Sequence, residues 1–318
     1  MPASITRRAG LALLGAAAWP ALHAQAAQLE GEWTDAARSR HLPWLLRLPA
    51  TSGPWPVVVY SHGLGGSRDG GALWGQAWAE AGIAVLHLQH PGSDSGTLKQ
   101  GLAALRAAAS APQLLARVGD VRFAFDELAR RAAAGAAPWT GLRLDALGVA
   151  GHSFGAVTTQ AVAGQRFPNG QQVEEPRPRA FIAFSPSPAA GSAARAFAGI
   201  TRPFMAVTGS LDGDPFGSYR TGEPRAAIHA ALPPGQRALL WLDGADHATC
   251  GGGAPRAAAA AAWRRRDALT REREPAHQAL VARLSSAWWR WRLLGDDAAP
   301  QALRSPAGLG TGDRWVLD

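Results

Sequence analysis

The stretch Gly151-His152-Ser153-Phe154-Gly155 constrains this chain more than any other. It follows an apolar run, Ala146-Leu147-Gly148-Val149-Ala150, that reads as a buried strand, and it precedes Ala156 to Ala163, which reads as a helix. Strand, sharp G-x-S-x-G turn and helix together describe a nucleophile elbow. The serine must occupy a strained backbone so that its hydroxyl projects clear of the sheet. Side chains two residues either side would block the close strand–helix approach that creates the strain. A chain with 37 glycines can produce the pattern by accident, but accident does not supply the flanking elements.

A serine hydroxyl is a weak nucleophile until an imidazole takes its proton, and the imidazole needs a carboxylate to fix its tautomer. In a sheet carrying an elbow, the chain order is Ser, then the acid after a late strand, then His after the last. Phe204-Met205-Ala206-Val207-Thr208 reads as the penultimate strand, and Asp212 follows it. Asp214, two residues on, is the rival acid. Leu239-Leu240-Trp241-Leu242 reads as the last strand, and Asp243-Gly244-Ala245-Asp246-His247 follows. His247 is therefore the expected base; the other late histidines, His229 and His277, fall in helix-like stretches.

Val57-Val58-Val59-Tyr60 reads as a strand buried on both faces. The loop after it, Ser61-His62-Gly63-Leu64-Gly65-Gly66-Ser67-Arg68, fails the dinucleotide pattern G-x-G-x-x-G, because Arg68 stands where the third glycine is needed. Beside an elbow, such a loop supplies an oxyanion hole. The expected donors are the backbone N–H groups of Leu64 and Phe154. His62 is expected to shape the loop by hydrogen bonding. Gly63, Gly65, His90 and His152 are the candidates for lining the substrate cleft, with loop polarity as the alternative account of His90 and Asp94.

Around these motifs the pattern alternates. Strands are expected near Gly31 to Ala37, Leu42 to Leu48, Ile83 to Leu88 and Phe181 to Ser185. Helices are expected over Ala72 to Ala81, Leu98 to Ala108, Gln113 to Ala134, the Ala-rich Ala257 to Trp263, and His277 to Leu294 with Gly295 as its stop. Phe167 to Pro178 reads as a polar surface loop. This is an α/β chain with a mostly parallel central sheet and helices on both faces. With no internal repeat or linker, residues 27–318 are expected to form one domain.

Residues 1–26 read as an export signal. Thr6-Arg7-Arg8-Ala9-Gly10-Leu11 resembles a twin-arginine signal, a short apolar stretch follows, and Ala24-Gln25-Ala26 is an A-x-A cleavage site. No acidic residue precedes Glu30. The expected location is periplasmic or secreted, with no stable membrane anchor after cleavage.

Composition narrows the partners. The formal charge of +8 and a pI near 11.1 invite a nucleic-acid function. The basic residues are scattered, however, with Lys99 the only lysine and Arg264-Arg265-Arg266 the one tight run, expected on a solvated helix. No nucleic-acid-binding signature accompanies them. Cys250 is the only cysteine, which excludes an intrachain disulfide and any multi-cysteine metal site. H-E-x-x-H is absent, and the S-x-x-K arrangement fails because Gly96 precedes Lys99 at the required spacing. No metal and no cofactor are expected.

Ser61 to Arg68, Gly151 to Ala156 and Gly244-Ala245-Asp246-His247 resemble the α/β-hydrolase superfamily. More narrowly, they resemble bacterial predicted dienelactone hydrolases, near the platelet-activating-factor acetylhydrolases and the cutinase-like polyester hydrolases. The likeness runs from about Trp33 to Gly253. Ser153 stands where dienelactone hydrolases carry a cysteine. His152 and Phe154 stand where the polyester hydrolases carry an aromatic residue and a methionine. The resemblance therefore implies a serine hydrolase of ordinary carboxylic esters rather than polymers. Two alternatives remain at this point: a non-catalytic binding protein on the same fold, and an amidase or peptidase using the same residues.

Overall fold

The computed structural model describes residues 27–253 and 266–318. The expected export signal, the Ala-rich Ala257 to Trp263, and Arg264 and Arg265 lie outside the described residues. The strands are β1 (Ala27–Asp35), β2 (Arg40–Leu48), β3 (Trp55–Ser61), β4 (Ala84–Leu88), β5 (Leu142–His152), β6 (Pro178–Phe184), β7 (Phe204–Leu211), β8 (Arg237–Asp246) and β9 (Arg314–Leu317). They form one sheet in the order β1-β2-β4-β3-β5-β6-β7-β8-β9. From β4 through β8 neighbouring strands are parallel, while β1, β2 and β9 join antiparallel at the two edges.

The helices among the described residues are α1 (Ala72–Glu80), α2 (Ser95–Lys99), α3 (Leu102–Ala108), α4 (Ala111–Ala133) and α5 (Phe154–Ala163). After them come α6 (Ala193–Phe197), α7 (Glu223–Ala231), α8 (His247–Gly251), α9 (Ala268–Trp289) and α10 (Ala299–Arg304). Alternation along the central strands divides the core. Val57 and Val59 pack beneath α4, α5, α6 and α7, while Val58 and Tyr60 face α1, α8, α9 and α10. Strands buried on both faces must be apolar at every position, which is why β3 reads as an unbroken run. Leu280, Leu284 and Trp288 of α9 are buried, and the indole N–H of Trp78 on α1 donates to Ser285 Oγ at 2.8 Å.

Several boundaries differ from the sequence expectation. The helix expected over Leu98 to Ala108 is split into α2 and α3 at Gly101, which has φ 102°. The strand expected near Gly31 to Ala37 runs over Ala27–Asp35, and the closing elements shift as well. Leu239 to Leu242 lie in β8, but β8 is not the last strand. Arg314–Leu317 adds antiparallel to it, pairing Leu240 with Trp315. Four half-exposed residues after a Gly-rich turn carry too little alternation to announce a strand. The closing helix begins at Ala268 rather than His277, with Pro275 carried inside it. Asp267 caps its first turn through Leu269 N, and the Arg266–Glu274 ion pair at 2.8 Å ties down its start. Arg266 also pairs with Asp246 at 2.8 Å, so it is not a freely solvated charge.

The sheet order places the site. From β3 the chain steps outward to β4, then returns to lay β5 on the other side of β3. In an open α/β sheet such a reversal of strand order, at the carboxyl ends of β3 and β5, is where a ligand site is expected.

Candidate active site

β5 ends at His152 and delivers Ser153 to that reversal point, directly before α5. Ser153 has φ 56° and ψ −116°, and it is one of only three non-glycine residues among those described with a positive φ. Holding it costs about 1–3 kcal/mol. Its N–H donates to Phe184 O at 3.0 Å, which pins the turn to β6. The flanking glycines are required by contact. A Cβ on Gly155 would sit 1.9 Å from Ser61 O, and one on Gly151 would sit 2.3 Å from Gly155 O. The helix therefore presses on the ends of β3 and β5, and the serine takes up the bend.

The loop after β3 lies against this turn. A Cβ on Gly63 would sit 3.2 Å from His152 Nδ1 and 3.3 Å from Ser153 Cβ. The N–H of Gly65 donates to Ser93 O at 2.8 Å, and that of Gly66 to Gly63 O at 3.0 Å. Both are thereby spent on holding the loop. Among the described residues the N–H of Leu64 has no acceptor. The N–H of Phe154 belongs to the first turn of α5, where backbone donors have no partner within the helix. His62 is buried as a loop-shaping residue: its Nδ1 bonds Gly63 O at 2.6 Å, and His90 N donates to its Nε2 at 3.0 Å.

Asp212 follows β7 and is fully buried. Its Oδ1 accepts from His247 Nδ1 at 2.7 Å, and its Oδ2 from Thr208 Oγ1 at 2.8 Å. Burial pushes this carboxyl up, but the neighbouring His247 and Arg225 outweigh it and hold it down to about 2. Asp214 is elsewhere engaged: its Oδ2 accepts from Ser218 N at 3.0 Å and shapes the turn that follows. Of the two candidate acids, Asp212 is the one against the imidazole.

His247 opens α8 directly after β8, with its side chain 23% exposed. With Nδ1 turned to Asp212, its Nε2 is the nitrogen without a partner among the described residues. Its ring lies 4.6 Å from that of His152, whose Nε2 bonds His247 O at 3.0 Å. Burial and the nearby His247 lower His152 to about 3, so it stays neutral and acts as a spacer between the elbow and the base. Ser153 Oγ makes no hydrogen bond among the described residues. Such bonds in a free site often tighten only around substrate.

His90 does not line the cleft. It is wholly buried, with Nδ1 2.9 Å from Asp120 Oδ2 and Nε2 3.0 Å from Ser61 Oγ. Asp94 caps α2 by accepting from Gly96 N and Thr97 N. Three charged residues that the motifs do not announce support the site. Asp120 takes a bidentate pair from Arg40, each contact at 2.7 Å. Arg117 donates to His62 O, to Ser93 Oγ at 3.2 Å, and lies 4.8 Å over the Phe154 ring. Arg225 packs behind Asp212. Arg117 had a sequence signal: it stands on the stripe of Leu114, Val118, Val121 and Phe125, where a charge is out of place. Arg225 had none, being one arginine among many.

Cys250 is buried, its thiol pushed well up by burial, so it is no rival nucleophile. Among the described residues no three His, Cys, Asp or Glu side chains gather where they could hold a metal ion, and no helix is long and apolar enough to cross a membrane.

Among solved structures, the chain is similar to a dienelactone hydrolase from Anabaena variabilis. The two superpose with a TM-score of 0.55 at 17% identity, over 85% of this chain and 99% of that one. The fold is that of the α/β-hydrolases. This agrees with the resemblance carried by the elbow and the glycine loop. No family model and no curated protein matches the sequence. In all, 778 solved chains match, so the likeness shows the α/β-hydrolase architecture, and the chemistry must be argued from the site.

Proposed function

We propose that the protein is a serine hydrolase of small carboxylic esters. Ser153 Oγ attacks the ester carbonyl carbon as His247 Nε2 takes the hydroxyl proton. The carbonyl π pair moves to oxygen, where the N–H groups of Leu64 and Phe154 hold the developing charge. Collapse expels the alcohol, which leaves with the proton from His247, and Ser153 stays acylated. Water then repeats the sequence: His247 takes its proton, its oxygen bonds the acyl carbon, and Ser153 departs with that proton. The step uses no oxidant, metal or cofactor.

One observation carries this reading: the 2.7 Å contact of Asp212 Oδ1 with His247 Nδ1, with the His247 ring 4.6 Å from that of His152, the residue before a serine held at φ 56°. The carboxylate selects the tautomer whose Nε2 can accept a proton. The twin-arginine-like segment over residues 1–26 supports a periplasmic or secreted setting, which fractionation of expressing cells would test.

The assay is turnover of p-nitrophenyl acetate and butyrate alongside labelling by a fluorophosphonate probe. We expect hydrolysis and a stoichiometric adduct on Ser153, both lost in Ser153→Ala. A wild-type protein that is inert to every ester and to the probe would instead be a binding protein on this fold. Faster cleavage of the matching p-nitroanilides would make it an amidase.

A further inference from the structure

We propose that Arg225 is a positioning residue that sets where Asp212, and through it His247, stands. The inference rests on the reading of Ser153, His247 and Asp212 given above. Asp212 sits just beyond the end of β7, in a loop that leaves the sheet, and nothing in the elbow or the glycine loop fixes it.

Arg225, on α7, is 2% exposed and spends its donors on that region. Its Nε donates to Asp212 O at 2.8 Å and stands 3.1 Å from Asp212 Oδ1. Its Nη1 donates to Ser185 O at 2.8 Å and Pro186 O at 3.1 Å, in the loop after β6. Its Nη2 donates to Gly213 O at 3.2 Å and lies 3.4 Å from His247 Nδ1. Tyr219 covers the guanidinium at 5.1 Å. One planar group thus joins the ends of β6 and β7 and touches the start of α8.

The contacts define what the residue must be. A guanidinium offers five N–H groups in a fixed fork, whereas an ammonium is a point donor on a flexible stem. Only the fork reaches Asp212, Gly213 and Ser185 at once. The carboxylate, not the guanidinium, sets the tautomer. His247 Nδ1 faces a carboxylate oxygen at 2.7 Å and an arginine nitrogen at 3.4 Å, and the shorter contact leaves Nδ1 as the donor. By fixing the main chain of Asp212 while sharing its Oδ1, Arg225 keeps that oxygen on the imidazole. A displacement of about 1 Å at such a site costs roughly 100-fold in turnover.

The test compares wild type with Arg225→Met and Arg225→Lys, after each is checked for a cooperative melting transition. p-Nitrophenyl butyrate gives kcat and KM, and proton NMR follows the far-downfield signal of the His247 Nδ1 proton. We expect kcat to fall about 100-fold in Arg225→Met with KM within twofold of wild type, and the downfield signal to vanish. Arg225→Lys keeps the buried charge but should recover less than a tenth of the lost rate. Wild-type kcat in a folded Arg225→Met, or full rescue by Arg225→Lys, would overturn the proposal. So would a folding failure of both variants, which would assign Arg225 to stability alone. An inert wild type would instead sink the esterase reading, a distinguishable result.

Discussion

Two serine–histidine–aspartate chains lie side by side at the carboxyl end of this sheet. Ser61, His90 and Asp120 are continuously bonded, at 3.0 Å and 2.9 Å, and all three are wholly buried. Ser153, His247 and Asp212 are bonded only between the last two, and the first two reach the surface. Both aspartates are backed by arginine: Arg40 and Arg38 for Asp120, Arg225 for Asp212. By residue type and bonding alone, the buried set is the more complete relay.

What separates them is what remains unsatisfied. Every polar atom of the Ser61 set is turned inward, on an ordinary strand end, and its histidine is held down to about 4, first by burial and then by Arg117. It cannot meet a substrate. Among the described residues the Ser153 set keeps a strained serine, an imidazole nitrogen without a partner and two backbone donors without acceptors. Incomplete satisfaction at a half-buried rim is the mark of a site. Complete satisfaction in the interior is the mark of a scaffold. The scaffold here has a task, since Arg117 and His62 fasten the glycine loop on which Leu64 stands.

The largest test of this division is at the serines. Ser153→Ala should lower kcat for p-nitrophenyl butyrate by 10⁴-fold or more on the order of triad removals elsewhere, with melting unchanged. Ser61→Ala should leave kcat within a few-fold and lower the melting temperature. Equal kinetic losses in the two variants would erase the distinction.

The aspartates come next. Asp212→Asn reverses the tautomer preference of His247, and kcat should fall about 10⁴-fold. Asp120→Ala removes the carboxylate shared by Arg40, Arg38 and His90, leaving Arg38 only Asp35 and Ala116 O and Arg40 only Pro91 O. Urea unfolding should then show a loss of roughly 3–5 kcal/mol. A stable Asp120→Ala would mean that water replaces the carboxylate, and that the buried chain supports less than its bonding suggests.

Much of this was written in the chain, but unevenly. Gly151 and Gly155 announce the elbow because their constraint is local: each glycine answers to backbone within the same turn or the adjoining strand. Asp212 and His247 could be placed because each follows a strand of buried residues that the pattern exposes. Asp214 could be set aside only by the structure, since loop direction is a tertiary property. His90 was misplaced for a related reason. A histidine in a Pro-Gly-Ser loop looks like a surface residue, and only Asp120 and Ser61, from distant segments, draw it inside. Arg225 was invisible because most of its partners are backbone carbonyls, which have no sequence identity, and its one carboxylate partner, Asp212, comes from a distant segment.

Acidification separates the two sets by stability rather than rate. His90 is held down to about 4, against about 6.5 unfolded, so between these values the unfolded chain binds the extra proton and folding weakens as pH falls. The contribution is fully present above pH 6.5 and is lost progressively towards pH 4. His90→Gln removes it. The variant should be less stable at neutral pH, with a slope of unfolding free energy against pH shallower than wild type by up to about 1.4 kcal/mol per pH unit in this window. Urea melts at half-unit pH intervals read this directly, and an unchanged slope would mean that His90 is already charged in the folded chain.

Gly63 is where the two sets touch, and it gives the smallest effect. Its carbonyl accepts from His62, on the scaffold side, while its α-carbon faces Ser153. A methyl group there meets His152 Nδ1 at 3.2 Å and Ser153 Cβ at 3.3 Å, so the loop must move outward by a few tenths of an ångström. The N–H of Leu64 moves with it, and a donor displaced from the developing oxyanion loses part of its stabilisation. Gly63→Ala should therefore lower kcat about tenfold, less than outright removal of a donor, with KM and urea stability close to wild type. If stability falls and kcat does not, the loop is bound more tightly to the buried set than to the serine, and the oxyanion donor must be sought away from Leu64.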